Sequence, residues 1–271
     1  MRIWGKILGF LFGFMLSKNI FGALLGMWLG HNFDKGRGLD FNGLAGNQED
    51  DASRQATFFY TTFSVMGFIA KAKGRVSEHE IAFATAYMDR LGLNNSMRRQ
   101  AQEAFREGKV VGFPLEDRIE QFKRSCRGRH DLLLLFLEIQ IQVAFADGQL
   151  DPTERKALHK IANQLGFSSQ ELDKLLEMII AGARFHQQQG HQAFNHNGQQ
   201  QQLDNAYKLL GVDKDTSARD IKKAYKKLMA QHHPDKLVAK GLPPEMMEVA
   251  KQKTQDIQAA YELISRQLNG Q

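Results

Sequence analysis

Apolar and polar positions follow the spacing of amphipathic helices along most of the chain, and one stretch near the amino end is almost wholly apolar. Helical spacing, with apolar residues three or four positions apart, begins at about Ala52 and again at Asn205. Few segments alternate at every second residue, as the strands of a sandwich or barrel do. The pattern predicts an all-α protein with a single amino-terminal transmembrane helix and two helical domains.

The apolar stretch spans residues 7–30. As a helix it would measure about 36 Å, which exceeds the roughly 30 Å apolar core of a bilayer. Lys18 near its middle costs about 2.5 to 3.5 kcal/mol on insertion, which the apolar residues on both sides offset. A cleaved signal peptide and a re-entrant hairpin at Lys18 are the alternatives, but no small-residue cleavage site follows. We therefore predict an uncleaved anchor over residues 1–31.

Small residues recur at every fourth position in two runs along this anchor, over residues 9–17 and 22–30, and such spacing lets two helix backbones approach closely. Two interpretations stay open: a homodimer through the transmembrane helix, or the general frequency of glycine in membrane helices. The flanking charges are balanced and do not decide which end is cytoplasmic. The predicted dimer ridge consists of Gly9, Gly13, Ser17, Gly22, Gly26 and Gly30.

Composition divides the rest of the chain. Residues 32–51 are rich in Gly, Asn and Asp and predict a juxtamembrane linker. Residues 52–185 carry helical periodicity and predict one helical domain. Residues 186–202 are rich in Gln and His with almost no apolar side chains, so we expect a flexible tether. Residues 203–271 then form a second helical domain.

The middle domain contains an internal duplication. Aligning residue 70 with residue 144 superposes a shared pattern of Ala, Gly, Glu and Leu-Gly positions. Each copy predicts a helix, a glycine-containing turn, a capping box, a second helix and a Leu-Gly stop. The predicted capping pairs are Ser77 with Glu80 and Asp151 with Glu154. Two helical hairpins would bury each other's apolar faces.

An EF-hand interpretation of the second copy fails, because the first and third ligand positions would be Val143 and Phe145. The arrangement instead resembles the tellurite-resistance TerB-like helical domain. Asp147 and Glu154 match the acidic pattern of that domain, whereas Lys73 replaces the Asp of the first copy. We therefore predict no metal site. The resemblance implies an interaction module, with an unknown client.

Charge and cysteine content narrow the class of protein. The net charge of +6 and the pI near 9.3 fit contact with an acidic protein, an anionic lipid surface or nucleic acid. A single cysteine, Cys126, excludes an intrachain disulfide and a four-thiolate zinc site, and indicates a reducing compartment.

The carboxyl-terminal domain opens with a short amphipathic helix from Asn205 that Gly211 ends. Thr216 or Ser217 caps a second helix, predicted to run to about Gln231. Its apolar face comprises Ile221, Ala224, Tyr225 and Leu228. Its opposite, basic face comprises Arg219, Lys222, Lys223, Lys226 and Lys227, which an acidic partner would complement.

An exposed turn follows this helix. Pro234 disfavours helical geometry at His233 and forces the chain out of the helix beside the basic face. Pro243 and Pro244 then open a third helix, which predicts two antiparallel helices joined by a His-Pro-Asp turn.

Three segments carry a resemblance to the J domain of the DnaJ (Hsp40) co-chaperones: YKLLGV, IKKAYKKLMAQHHPDK and IQAAYELI, in order and spacing. With the anchor and the TerB-like domain, the whole chain resembles the membrane-anchored DnaJ-like proteins of Gram-negative bacteria. The resemblance implies that His233, Pro234 and Asp235 stimulate the ATPase of a DnaK-type Hsp70, and that the basic face docks on it. It also implies the inner membrane, with the bulk of the chain in the cytoplasm.

The chain departs from full-length DnaJ in lacking a Gly/Phe-rich segment, CxxC zinc repeats and terminal substrate-binding domains. We expect no cofactor, and no catalytic residue, because no nucleophile accompanies His233 and Asp235. The sequence has no P-loop motif, so the partner would bind the ATP.

Two other functions remain as alternatives. One is a membrane-tethered scaffold that acts through the TerB-like domain, for which deletion of residues 205–271 would be harmless. The other is nucleic-acid binding by the basic helix, which ranks last because no groove-reading signature accompanies it, so we predict no nucleic-acid partner.

Overall fold

The computed structural model describes residues 41–190 and 196–269, with side chains described over residues 52–186 and 198–269. The predicted anchor, its dimer ridge and residues 32–40 lie outside this part of the chain. Within the described ranges every regular element is helical, as the sequence predicts, and there is no strand.

From residue 41 onward, seven helices precede the carboxyl-terminal domain. They are α1 (Phe41–Lys71), α2 (Glu78–Arg90), α3 (Asn95–Gly108), α4 (Leu115–Ser125), α5 (His130–Ala144), α6 (Pro152–Leu165) and α7 (Ser169–Gly190). The remaining helices are α8 (His196–Leu209), α9 (Ala218–His232), α10 (Pro234–Ala239) and α11 (Met247–Asn269), and a 3₁₀ turn at Pro244–Met246 precedes α11.

Helix α5 lies at the centre of the middle domain. Its residues from Leu132 to Ile141 are all buried, which is typical of a helix that neighbours cover on every side. Aromatic rings of α1 and α4 pack against it, with the Phe122 and Phe136 centroids 4.4 Å apart and those of Phe58 and Phe122 5.4 Å apart. This core therefore holds α5 firmly in position.

The internal duplication is confirmed in the local geometry of its two copies. Gly74 and Gly148 occupy equivalent turns with φ of 97° and 86°, a left-handed conformation that glycine adopts most readily. Capping boxes follow both turns, Ser77 with Glu80 before α2 and Asp151 with Glu154 before α6.

Helices α1 and α3 touch backbone to backbone. A Cβ atom on Gly108 would lie 1.7 Å from the carbonyl oxygen of Ser64, and one on Gly67 would lie 2.1 Å from that of Phe105. Only glycine fits at these two positions. The close contact therefore requires Gly67 in α1 and Gly108 in α3.

Helices extend into both predicted linkers over the described residues. Residues 41–51 belong to α1, although the apolar periodicity of the sequence begins only near Ala52; extending an established helix costs little once it has nucleated. The expected tether is helical over residues 186–190 and 196–202. Its few apolar neighbours explain this result, because Phe185 of α7 and Tyr207 of α8 are buried in one shared core, and glutamine is a good helix former.

The carboxyl-terminal domain is the predicted helical hairpin. Helices α9 and α11 pack together, and the rings of Tyr225 and Tyr261 stack with centroids 4.2 Å apart. Its core also includes Met178 and Phe185 of α7, so α7 contributes to both domains. The core residues from α8 and the turn after it, α9 and α11 are Ala206, Tyr207, Leu209, Leu210, Ile221, Leu228, Ile257, Ala260 and Ile264.

Candidate functional site

The His-Pro-Asp turn lies between α9 and α10. His233 has extended geometry, with φ −61° and ψ 120°, and Pro234 is the first residue of α10. The side chains of His233 and Asp235 are exposed, while Pro234 is half-buried. No side chain caps α10, so the backbone and the proline ring define the turn, as expected for proline at a first helical position.

The basic face of α9 is exposed along its length. Ser217 accepts a hydrogen bond from the Asp220 amide and caps the helix, which selects it over Thr216. Ile221 and Leu228 are buried in the domain core, while Ala224 and Tyr225 are half-buried. All five predicted basic residues face solvent: Arg219, Lys222, Lys223, Lys226 and Lys227. The basic face on α9 and the turn that follows this helix are thus both accessible to a partner.

The residues that flank the turn pack on the middle domain, which sequence reasoning missed. Five residues that follow the turn belong to the same hydrophobic core as α5: Leu237, Leu242, Met246, Val249 and Ala250. The sequence signal for this contact is the long segment between the turn and the third helix, which has apolar residues where an exposed loop would be polar.

A buried polar contact joins the two domains beside the turn. Glu138 of α5 is 2% exposed, and its carboxylate lies 3.6 Å from Nδ1 of His232 and 3.5 Å from Nζ of Lys253. Neither ring nitrogen of His232 has a hydrogen-bond partner among the described residues. Burial lowers the pKa of His232, against the opposing effect of Glu138.

A second polar contact lies on the other side of the turn. The Arg129 guanidinium donates a hydrogen bond of 2.6 Å to the backbone carbonyl of Lys240, just after α10. The Lys240 ammonium in turn pairs with Asp131 in the first turn of α5. The segment after the turn is therefore bonded to Asp131 of α5 and to Arg129, the residue before that helix, while His232 before the turn lies buried beside Glu138 of α5.

A cavity of about 280 Å³ lies along the same junction. Leu134 and Glu138 of α5 line one side, and Leu228 and His232 of α9 line the other. Lys227 of the basic face also borders it.

The acidic residues of the duplication surround Lys73. Its ammonium lies 3.0 Å from Glu80, 2.9 Å from Asp147 and 3.4 Å from Glu154, where the second copy has an aspartate in place of the lysine. Burial opposes the charge on Lys73, but the three carboxylates together hold its pKa above the usual range. No group of side chains within the described ranges is arranged to hold a metal ion.

We expect Lys73→Met to destabilise the protein in a pH-dependent way. Burial and the nearby Glu80 raise the pKa of Glu154 to about 7, so Glu154 favours the folded state at low pH and this stabilisation is lost as pH rises from about 4.5 through 7. Without Lys73 the three carboxylates repel one another fully only when all are ionised. Urea unfolding should show a loss of about 2 kcal/mol at pH 8, and less than half of that at pH 5.

The matched control is Lys160→Met, which removes the partner of Glu116 at the surface, 2.7 Å away. An exposed ion pair contributes little, so this variant should lose less than about 0.5 kcal/mol at either pH. Equal losses for the two variants, or a Lys73→Met loss that does not vary with pH, would contradict the assignment.

The predicted anchor is not testable in the described residues. Within residues 41–190 and 196–269, no helix combines the length and apolar character needed to cross a bilayer. The apolar stretch and the small-residue ridge precede these ranges.

Three family models match the chain in succession. They are the co-chaperone DjlA transmembrane domain over residues 1–40, the tellurite resistance protein TerB over residues 60–177 and the DnaJ domain over residues 205–269. These matches have the order and the approximate positions of the three regions predicted above.

Curated relatives match nearly the whole chain. A protein of Photobacterium profundum named co-chaperone protein DjlA is 52% identical over 274 residues, with 98% of this chain and 99% of the relative covered. Proteins of the same name from Yersinia pestis and Escherichia coli O157:H7 are each 49% identical, with 98% of this chain covered and 99% and 98% of the relatives. No solved structure matches the chain.

Proposed function

Because the chain belongs to the DjlA family of membrane-anchored J-domain co-chaperones of DnaK, we propose that His233, Pro234 and Asp235 stimulate the ATPase of DnaK. The observation that carries this assignment is the exposed turn at the end of a helix with a continuous cationic face. The half-buried proline fixes the backbone, while His233 and Asp235 are free to make polar contacts with the partner.

The basic face has a separate task in this proposal. Exposed cations accelerate encounter with an acidic surface and orient it, but they contribute less to what happens after docking. We therefore assign docking to Arg219, Lys222, Lys223, Lys226 and Lys227, and activation to the turn.

This division is tested with Lys222→Gln/Lys226→Gln in the full chain, by single-turnover ATP hydrolysis on DnaK at increasing co-chaperone concentration. We expect the half-saturating concentration to rise about 5- to 10-fold at low salt, with the maximal stimulation nearly unchanged. The difference should shrink below about 2-fold near 0.5 M salt, because salt screens exposed charges.

The control for total charge is Lys156→Gln/Lys251→Gln, which removes two exposed lysines outside α9. It should match the wild-type chain at every salt concentration. If both double variants behave alike, or if the α9 variant lowers only the maximal rate, the docking role of the basic face is wrong.

The chain itself makes and breaks no covalent bond in this proposal, and the hydrolysed ATP belongs to DnaK. The support is the absence of a P-loop motif in the sequence and the co-chaperone name of every relative reported above. The middle domain would bring DnaK to an unidentified client near the membrane.

The anchor is proposed to span the bacterial inner membrane once, with the bulk of the chain in the cytoplasm, where DnaK and ATP are available. Protease treatment of sealed inverted vesicles would remove the J domain if this orientation is correct.

We also propose that the ridge from Gly9 to Gly30 pairs two copies of the chain, supported by its regular small-residue spacing. Replacing Gly13 with leucine should then reduce crosslinked dimer in membranes.

A further inference from the structure

The activating turn is exposed, but the residues on either side of it are among the most buried of the protein. His232, directly before the turn, is 1% exposed, and Leu237, two residues after it, is 0% exposed. Both contact the middle domain rather than only the J domain. The position of His233 and Asp235 in space is therefore set by two domains.

Glu138 of α5 faces both long helices of the J-domain hairpin, α9 and α11. One carboxylate oxygen faces His232 at the end of α9, and the other faces Lys253 in α11. A carboxylate this buried is stable only with a charged partner, so the pairing with Lys253, whose side chain is 11% exposed, is strongly constrained. A displacement of the hairpin of α9 and α11 against α5 would separate Glu138 from Lys253.

Asp131 supplies the matching contact after the turn. It pairs with Lys240, while Arg129 holds the carbonyl oxygen of the same residue. Asp131 and Glu138 lie seven positions apart on one helix, and seven residues make about two helical turns, so both carboxylates project from the same side of α5. Helix α5 itself is fixed by the core around it.

We propose that Glu138 and Asp131 are positioning residues for the activation of DnaK: from α5 they fix the direction in which the His-Pro-Asp turn is presented. This inference rests on the proposed function of the turn. Neither carboxylate contacts DnaK in this account, so their loss should leave docking intact. It should weaken activation, because a displacement of about 1 Å in a reacting geometry can cost up to 100-fold in rate.

The test uses Glu138→Gln and Lys240→Met in the full chain, in detergent micelles, with single-turnover ATP hydrolysis on DnaK. We expect the maximal stimulation to fall about 5- to 10-fold for Glu138→Gln and about 2- to 3-fold for Lys240→Met. The half-saturating concentration should stay within 2-fold of the wild-type value for both. A role in stability alone would not produce this split between maximal rate and half-saturation.

The matched control is Glu248→Gln, which removes an exposed carboxylate of α11 whose partner, Lys251, is 3.6 Å away on the same helix. It should behave as the wild-type chain. Circular dichroism would reveal whether Glu138→Gln fails to fold. The Lys240 side chain is partly exposed, so Lys240→Met should fold and keeps the test valid in that case.

The outcomes separate the two proposals. Wild-type maximal stimulation by every folded variant of Glu138 and Lys240 would overturn the positioning role and leave the function of the turn intact. A rise in half-saturation without a fall in maximal rate would also overturn it, because the carboxylates would then act in docking. A wild-type chain that leaves DnaK at its basal rate would contradict the proposed function itself.

Discussion

Replacing His233 with glutamine should abolish the stimulation of DnaK by this chain and leave its helical content unchanged. The side chain of His233 is exposed and caps no helix, so its loss removes a contact with the partner without removing one from the fold. Pro234 and the backbone geometry of the turn remain in the variant. We expect single-turnover ATP hydrolysis on DnaK to proceed at the basal rate even at a large excess of the variant.

The control for this experiment is His79→Gln, which makes the same change at an exposed position of α2 in the middle domain. It should stimulate DnaK as the wild-type chain does. Full stimulation by His233→Gln, with circular dichroism matching the wild type, would mean that the turn is not the activating element.

The second large effect is expected on stability. Gly108→Ala should lower the free energy of unfolding by about 3 kcal/mol, because the added methyl group would lie 1.7 Å from a backbone carbonyl oxygen of α1. A backbone atom cannot rotate away as a side chain can, so α1 and α3 must separate and lose contacts along their length. Urea denaturation followed by circular dichroism measures this loss.

Gly182→Ala is the matched control. Its new methyl group would meet only the end of the Leu209 side chain, at 2.9 Å, and that side chain can move. Alanine also favours the helix by up to about 1 kcal/mol over glycine, so the two effects nearly cancel. If Gly108→Ala proves as stable as Gly182→Ala, the backbone contact between α1 and α3 is not present in solution.

The carboxyl-terminal domain was the most predictable part of the chain. Helical periodicity in α9, a capping residue at Thr216 or Ser217 and the proline of the turn are local signals, and each acts within a few residues. They placed the two antiparallel helices and their exposed turn correctly. The capping boxes of α2 and α6 were predicted for the same reason.

The contacts between domains were not predictable in the same way. The polar composition of residues 186–202 predicts a flexible tether. It carries no information about the core in which the neighbouring Phe185 and Tyr207 are buried. The pairing of Glu138 with Lys253 joins positions far apart in the sequence, and nothing in either local pattern marks it. The two copies of the duplication differ at Lys73, which aligns with Asp147 of the second copy. The duplication did not predict that these two equivalent residues would form an ion pair with each other.

The pair α7 and α8 has a consequence for how the co-chaperone meets DnaK. A domain on a flexible linker samples many orientations around its attachment point. It can therefore reorient toward a binding partner independently of the rest of the molecule. In this protein the His-Pro-Asp turn and the middle domain form one rigid unit. Productive encounters with DnaK therefore depend on the rotation of that whole unit. The distance between the turn and the middle domain is then a fixed length rather than an average.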